Sequence, residues 1–348
     1  MLKIAKGRSS VKNKIGDVSS TYINSLIVAG ESLGVDRQMI LRQNKLSEHA
    51  LSDPECRLSL VALMKVGQSI IHSTNEPALG LISGKRSVLT ALGYPGLLAM
   101  NSSCLGEAVA VLNRFEPLAS RCNRGQSNLE TRLIKPRLNF YSIAPYNEYN
   151  LFVVDRVICG WYQVIEWLTN RSDLVASVQF EFEAPAYADQ YRDYFDCPVK
   201  FGAECNSIQF QEKALDTPVV YHNPHLYASL LDTCEQMLEA ISQTETIGQQ
   251  VQKALGSMLH EGNPTLGEVA EKLSLPSWTL RRRLSEQGLS FHEILEELRK
   301  DLAINYVKNF KLSLGEIAYS MGFSNASAFQ RAFKRWTGMT AGDYRKSL

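Results

Sequence analysis

Two short basic runs near the end of the chain hold the side chains best suited to chemistry. The first is Trp278-Thr279-Leu280-Arg281-Arg282-Arg283-Leu284 and the second Ala326-Ser327-Ala328-Phe329-Gln330-Arg331-Ala332-Phe333-Lys334-Arg335-Trp336. Leu280 and Leu284, like Phe329 and Phe333, lie four residues apart, so each run folds as a helix with a buried seam. The opposite side then carries Trp278, Arg281 and Arg282, or Ser327, Gln330, Arg331 and Lys334. Such a face suits the major groove of a double helix, where arginine donates two hydrogen bonds to a guanine edge and glutamine pairs with adenine. Successive helix positions point about 100° apart, so the three arginines divide the work. Arg282 is assigned to bases, Arg281 to base or phosphate, and Arg283 to phosphate or an intramolecular pair. Trp278 either touches sugar or a thymine methyl or packs within its own unit, while Trp336 extends the Phe329 and Phe333 seam into the core. Thr279 and Asn325, at the helix starts, complete the candidate contact set.

The elements that must position these helices are written twice. Leu266-Gly267-Glu268-Val269-Ala270-Glu271-Lys272-Leu273 recurs 48 residues later as Leu314-Gly315-Glu316-Ile317-Ala318-Tyr319-Ser320-Met321, with four identities and two apolar exchanges. Its apolar positions recur at helical spacing, and the small Ala270 lets a second helix cross closely. Each unit therefore reads as a supporting helix, a tight turn and a basic helix. The basic helices align at an offset of 49, because the second turn holds one extra residue: Leu280 matches Phe329, Arg282 matches Arg331 and Leu284 matches Phe333. Between the units, Phe291, Ile294, Leu295, Leu298, Leu302 and Tyr306 form one stripe of a single joining helix. Two units held roughly 34 Å apart would enter successive major grooves on one face of a duplex.

The string Gly322-Phe323-Ser324-Asn325-Ala326-Ser327-Ala328-Phe329-Gln330-Arg331-Ala332-Phe333-Lys334-Arg335-Trp336-Thr337-Gly338, followed by Asp343-Tyr344-Arg345, resembles the signature of AraC-type transcriptional regulators. The resemblance implies two helix-turn-helix subdomains behind an effector-sensing domain. It implies double-stranded DNA, a small-molecule effector of unknown class and RNA polymerase as partners, with room for a homodimer, in a cytoplasmic regulator that is an activator or a repressor. Two places depart from the pattern. Ala341 stands where proline commonly follows Thr340, and Pro276-Ser277 inverts the usual Ser-Pro start, leaving Ser274 or Ser277 as the cap of the first basic helix.

Composition agrees with a globular chain: 348 residues, 45% hydrophobic and 21% charged, are enough for two or three domains. The net charge of +1 hides an asymmetry. From Ser277 onward Lys and Arg outnumber Asp and Glu by 12 to 7, a surplus of five, so the remainder carries a deficit of about four. The seven cysteines all precede this region, none as a Cys-x-x-Cys pair and none with a His pair at metal-ligand spacing, which points to reduced thiols and no metal site. No apolar run is long enough to cross a membrane, and residues 1 to 18 read as a flexible basic arm.

Upstream, the capped helix from Ser19 to Gly34, the helix from about Pro54 to Ser73 and a helix from Leu105 to Leu118 make the first 120 residues look all-helical. Alternation across Lys135-Pro136 then predicts a strand pair, a long apolar helix runs from Glu148 to Thr169, and Leu174 to Glu183 is a strand with one buried face. Ala186 to Phe195 reads as a helix, followed by strands at Val199 to Phe201 and Ser207 to Phe210. The stretch Tyr191-Arg192-Asp193-Tyr194-Phe195-Asp196-Cys197-Pro198-Val199-Lys200-Phe201-Gly202, with Asn206 to Phe210 and Leu215 to Pro218, is similar to the sensory domain of ornithine-utilisation and mycobacterial virulence regulators. That domain differs from the sugar-binding barrel of the arabinose regulator. The fold expected is an α+β sensor with a small antiparallel sheet (residues 19 to 220), a helical connector (221 to 244) and an all-α reader (245 to 348). Within the reader, the first helix-turn-helix spans about 266 to 287, the joining helix 291 to 309 and the second unit 314 to 336.

Catalysis has little to stand on. The chain shows no nucleophile elbow, no phosphate loop and no paired His with carboxylate, so no catalytic residue and no cofactor are assigned. The alternative is a redox-responsive or alkyl-transfer DNA-repair regulator acting through Cys122. Its string, Arg121-Cys122-Asn123-Arg124, lacks the proline and downstream histidine of that chemistry, although two arginines would lower a thiol pKa. The aromatic helix from Glu148 to Thr169 suggests a hydrophobic pocket wall; the effector-binding residues are otherwise unknown.

Overall fold

The computed structural model describes residues 16–53, 56–122, 126–131, 133–142, 150–244, 246–258, 264–308, 313–321, 323 and 325–346. The start of the basic arm, the side chain of Cys122 with Asn123 and Arg124, and Gly322 and Ser324 of the second turn lie outside the described residues.

The N-terminal domain begins with β1 (Gly16–Ser19), α1 (Ser20–Ser32), α2 (Arg37–Asn44), α3 (Glu48–Ser52), β2 (Arg57–Ser59) and α4 (Leu60–Thr74). Ser19 caps α1 and Ser59 caps α4, each side chain accepting from a backbone N–H of the first turn. The helices close a core through Ile23, Leu26 and Ile27 on α1 and Leu63, Val66 and Ile70 on α4. The all-helical expectation is corrected by a small sheet. β1 pairs antiparallel with β2 and with β3 (Ser120–Cys122), and Arg57 on β2 forms an ion pair with Asp17 on β1. Residues 57 to 59 belong to the strand, so α4 starts at Leu60 rather than Pro54. Strands of three or four residues are too short to show a period of two.

Next come α5 (Leu79–Lys85), α6 (Tyr94–Met100), α7 (Leu105–Arg114) and α8 (Glu116–Ala119). The helix expected over Leu105 to Leu118 breaks at Phe115, because Pro117 fits only a new first turn. The larger sheet contains β4 (Gln126–Glu130), β5 (Arg137–Tyr141), β6 (Val175–Gln179), β7 (Val199–Lys200) and β8 (Asn206–Phe210), ordered β4-β5-β8-β6-β7. The expected pair across Lys135-Pro136 is present, with Asn128 opposite Asn139. All pairings are antiparallel except the β6–β7 edge. The helix expected over Ala186 to Phe195 is a 3-10 helix over Ala188–Asp193.

One helix, α9 (Leu151–Thr169), joins the two halves of the N-terminal domain. Phe152 enters the core of α1 and α4, while Ile158, Tyr162 and Ile165 enter the core over the sheet with Leu138, Phe140, Val178, Ile208 and Phe210. Glycine lets α5 lie close against it: a Cβ on Gly80 would stand 2.3 Å from the Phe152 carbonyl oxygen. The connector, α10 (Pro224–Thr244), is docked on the same large core by Cys234, Tyr227, Leu230, Leu231 and Leu238, with Arg114 and Glu235 paired across α7 and α10.

Candidate nucleic-acid interface

The C-terminal region comprises α11 (Ile247–Met258), α12 (Leu266–Lys272), α13 (Ser277–Glu286), α14 (Phe291–Lys308), α15 (Leu314–Ser320), α16 (Ala326–Thr337) and α17 (Ala341–Lys346). The sequence repeat returns as a repeat of backbone hydrogen bonds. Leu275 N–H donates to the Ala270 carbonyl at 2.9 Å, and 48 residues on Phe323 N–H donates to Ala318 at 2.9 Å. Leu280 N–H then donates to Pro276 at 3.0 Å, and Phe329 N–H to Asn325 at 3.3 Å, an offset of 49. The extra residue of the second turn therefore enters between Phe323 and Asn325. Each basic helix crosses a supporting helix, and in the first of these, α12, Thr265 and Glu268 form a reciprocal capping box.

The caps of the two basic helices differ. The Asn325 side chain accepts from Ala328 N–H at 2.8 Å and so caps α16. In α13 the cap position is Pro276, with no side-chain hydrogen bond; Ser274 sits in the left-handed region at φ 54° and Ser277 is already helical, so neither serine caps the helix. Ala341, where proline was expected, is buried and opens α17, and Thr340 accepts from Asp343 N–H at 3.1 Å.

Leu280, Leu284, Phe329 and Phe333 are fully buried, and the candidate contact residues fall mostly on the opposite faces. Arg281, Arg282, Arg283, Ser327, Arg331 and Lys334 are exposed, and Gln330 is half-buried. Trp278 is 66% exposed, which excludes packing inside its unit. Its ring lies under the Arg282 guanidinium at 5.6 Å, and Arg282 also reaches Glu286 at 3.5 Å, so this arginine is held over the helix surface. Thr279 departs from expectation. It is buried, as its counterpart Ala328 is half-buried, because that place on the helix faces the interior of the unit.

Two clusters of buried side chains underlie these faces, and α14 belongs to both. Ile294, Leu295 and Leu298 join α11, α12 and α13; Ala303 and Val307 join α15, α16 and α17. A residue that sequence reasoning passed over ties the halves further. Glu296, on the first half of α14, accepts from Trp336 Nε1 at 2.8 Å and from Arg335, both on α16. Burial pushes its carboxyl up, but these hydrogen bonds outweigh burial and hold it below the usual range. Trp336 is thus half-buried against Phe323 with a polar tether, not plain core. At the other end of α14, Arg345 donates to the Val307 carbonyl at 2.9 Å, satisfying an acceptor of the last turn.

In the N-terminal domain, a cavity of about 210 Å³ lies where the two cores meet, walled on one side by Val153, Val157, Trp161 and Val164 of α9. The pocket wall expected from that helix is therefore present. Arg156 also lines it: Nε donates to Ser83 Oγ at 3.2 Å, Nη2 to Ser25 Oγ at 2.8 Å, and the guanidinium stacks over Tyr22 at 4.6 Å. Glu116 lines the cavity too, its carboxyl pushed up by burial against the opposing hydrogen bonds from Ser127. Asp155, one position before Arg156, turns the other way and accepts from the Tyr187 and Tyr191 hydroxyls. The signal for these residues was an Asp-Arg pair inside an otherwise apolar helix. Among the described residues, no group of three His, Cys, Asp or Glu could hold a metal ion, and no helix is long and apolar enough to cross a membrane.

Comparison with known proteins agrees with this layout. Residues 34–219 match the arabinose-binding N-terminal domain of AraC transcription regulators, and residues 269–347 match a helix-turn-helix domain. The chain is 26% identical to the ornithine utilization regulator of Pseudomonas aeruginosa over 331 residues, covering 95% of this chain and 96% of that one. It is 22% identical to the transcriptional regulator VirS of Mycobacterium tuberculosis over 313 residues, 90% of this chain and 92% of VirS. The crystal structure of the regulator CdpR from P. aeruginosa covers 89% of this chain and 96% of CdpR at 21% identity, with a TM-score of 0.44. With the N-terminal match alone spanning more than half of its length, the chain belongs to the AraC family of DNA-binding transcription regulators, carrying that family's N-terminal ligand-binding domain ahead of a helix-turn-helix reader.

Proposed function

We propose that each reader places α13 and α16 in two successive major grooves of one duplex, and that a small-molecule effector bound in the sensor controls this binding. The observation that carries the reading is the shared helix: α14 contributes side chains to the cores of both units, so the two basic faces are held as one body. Arg282, Gln330 and Arg331 are assigned to base edges and Arg281 to base or phosphate. Arg283 is assigned to phosphate or an intramolecular pair, Ser327 and Lys334 to phosphates and Trp278 to sugar or a thymine methyl. Asn325 acts first as a cap and orients α16. The boundaries 19 to 220, 221 to 244 and 245 to 348 are the working division into sensor, connector and reader. RNA polymerase and a second copy of the chain are the remaining partners in this reading.

Control requires that the effector bind one arrangement of sensor and reader better than another, because a ligand shifts an equilibrium only by its difference in affinity for the two states. The docking of α10 on the sensor core gives such a difference a path toward α11. Selection of full-length protein against random duplexes tests the DNA reading. It should recover two unequal base clusters about one helical turn apart, roughly 10 base pairs. Recovery of a single cluster would refute reading by two heads.

A further inference from the structure

We propose that the cavity beneath α9 binds an apolar carboxylate, with the anionic head on Arg156 and the apolar body against Val153, Val157 and Trp161. The proposal rests on the effector-controlled reading above and names the ligand class. Arg156 has two hydroxyl acceptors, Ser25 and Ser83, and the Tyr22 ring, but among the described residues no carboxylate lies within ion-pairing distance of it. A guanidinium carries five donors and a fixed charge, and two serine oxygens satisfy neither fully. A charge withdrawn from water without an anion is costly, and here it lines an open cavity where an anion can reach it.

The walls select the body attached to that anion. They are mostly apolar, and a space of about 210 Å³ takes one small organic molecule. Arg86, exposed at the rim, adds a second positive charge. A pentose would leave ring hydroxyls against hydrocarbon. A free α-amino acid would bring its ammonium against mostly apolar walls, where the lining carboxyl, Glu116, already accepts two hydrogen bonds from Ser127. A carboxylate on an alkyl or aryl body meets both constraints, because the planar fork of arginine matches the two carboxylate oxygens.

Calorimetry on the full chain with octanoate, 1-octanol, L-arabinose and L-ornithine tests this. Octanoate should bind at least tenfold more tightly than 1-octanol, with the sugar and the amino acid silent. Arg156→Gln should abolish that preference while leaving octanol affinity unchanged, and Arg156→Lys should restore part of it. Val157→Phe, which fills the space, should remove both ligands, and the thermal unfolding of each variant checks that the fold is kept. Equal affinity for octanoate and octanol, unchanged octanoate binding by Arg156→Gln, or binding of arabinose or ornithine in the cavity would overturn the proposal. Binding of selected DNA is measured in parallel. DNA bound and released by a ligand other than a carboxylate removes the ligand class and leaves effector control standing. Octanoate bound with no effect on DNA removes effector control by this site and leaves the binding site itself.

Discussion

Arg282 and Arg331 occupy equivalent places in two helices, yet their settings differ. Arg282 is braced by Trp278 and Glu286, so it reaches a base only by exchanging one partner for another. Replacing either arginine by alanine should cost about 1 to 3 kcal/mol at one position of the DNA site, whereas Lys334→Ala should weaken every sequence similarly. Binding to a panel of single-base variants separates the two behaviours. Equal losses on all sequences for the three variants would defeat the assignment of roles. In the sensor, burial pushes Asp155 from an ordinary 3.8 up to about 7, against the two tyrosine hydroxyls that favour its charged form. The folded state then holds a proton that the unfolded chain releases, so this residue's contribution to stability falls as pH rises from about 4 to about 7 and is level above that. Denaturant titrations at several pH values should show Asp155→Asn losing a slope worth a few kcal/mol across that window. A slope identical to that of the unaltered protein would contradict it.

Glu296 braces α14 against α16. Glu296→Ala should leave the first unit and its half of the DNA site untouched while weakening binding to the complete site by about 1 kcal/mol, the net worth of a partly exposed charged hydrogen bond. An equal effect on the first half alone would show that the contact is local. Long periodic elements were legible in advance: α1, α9, α14 and the duplicated helix pair all stand where the apolar spacing put them. The extra residue of the second turn was legible too, as an offset of 48 becoming 49. What sequence hid was short or tertiary. The strands β1, β2 and β3 have too few residues for a pattern and exist because they pair with one another. The break at Phe115 is local, while the burial of Thr279 depends on what crosses it. Arg156 was visible as a charge in an apolar helix, but the cavity that gives it meaning is closed by α1, α4, α7 and β5, segments far apart in the chain.

Across the whole molecule, two joining helices carry the organisation. α9 unites the helical and sheet halves of the sensor with the cavity at their seam, and α14 unites the two basic faces. Between them α10 lies on the N-terminal core, and in the proposed function a ligand that spreads or tightens that core would act on the element leading to α11. In the proposed function α13 and α16 address neighbouring turns of one duplex at the same time. Single-base substitution along a selected DNA site tests this by mapping which base pairs lose discrimination in Arg282→Ala and which in Arg331→Ala. Two separate positions about 10 base pairs apart are predicted; a shared position, or two positions on opposite faces of the duplex, would contradict it.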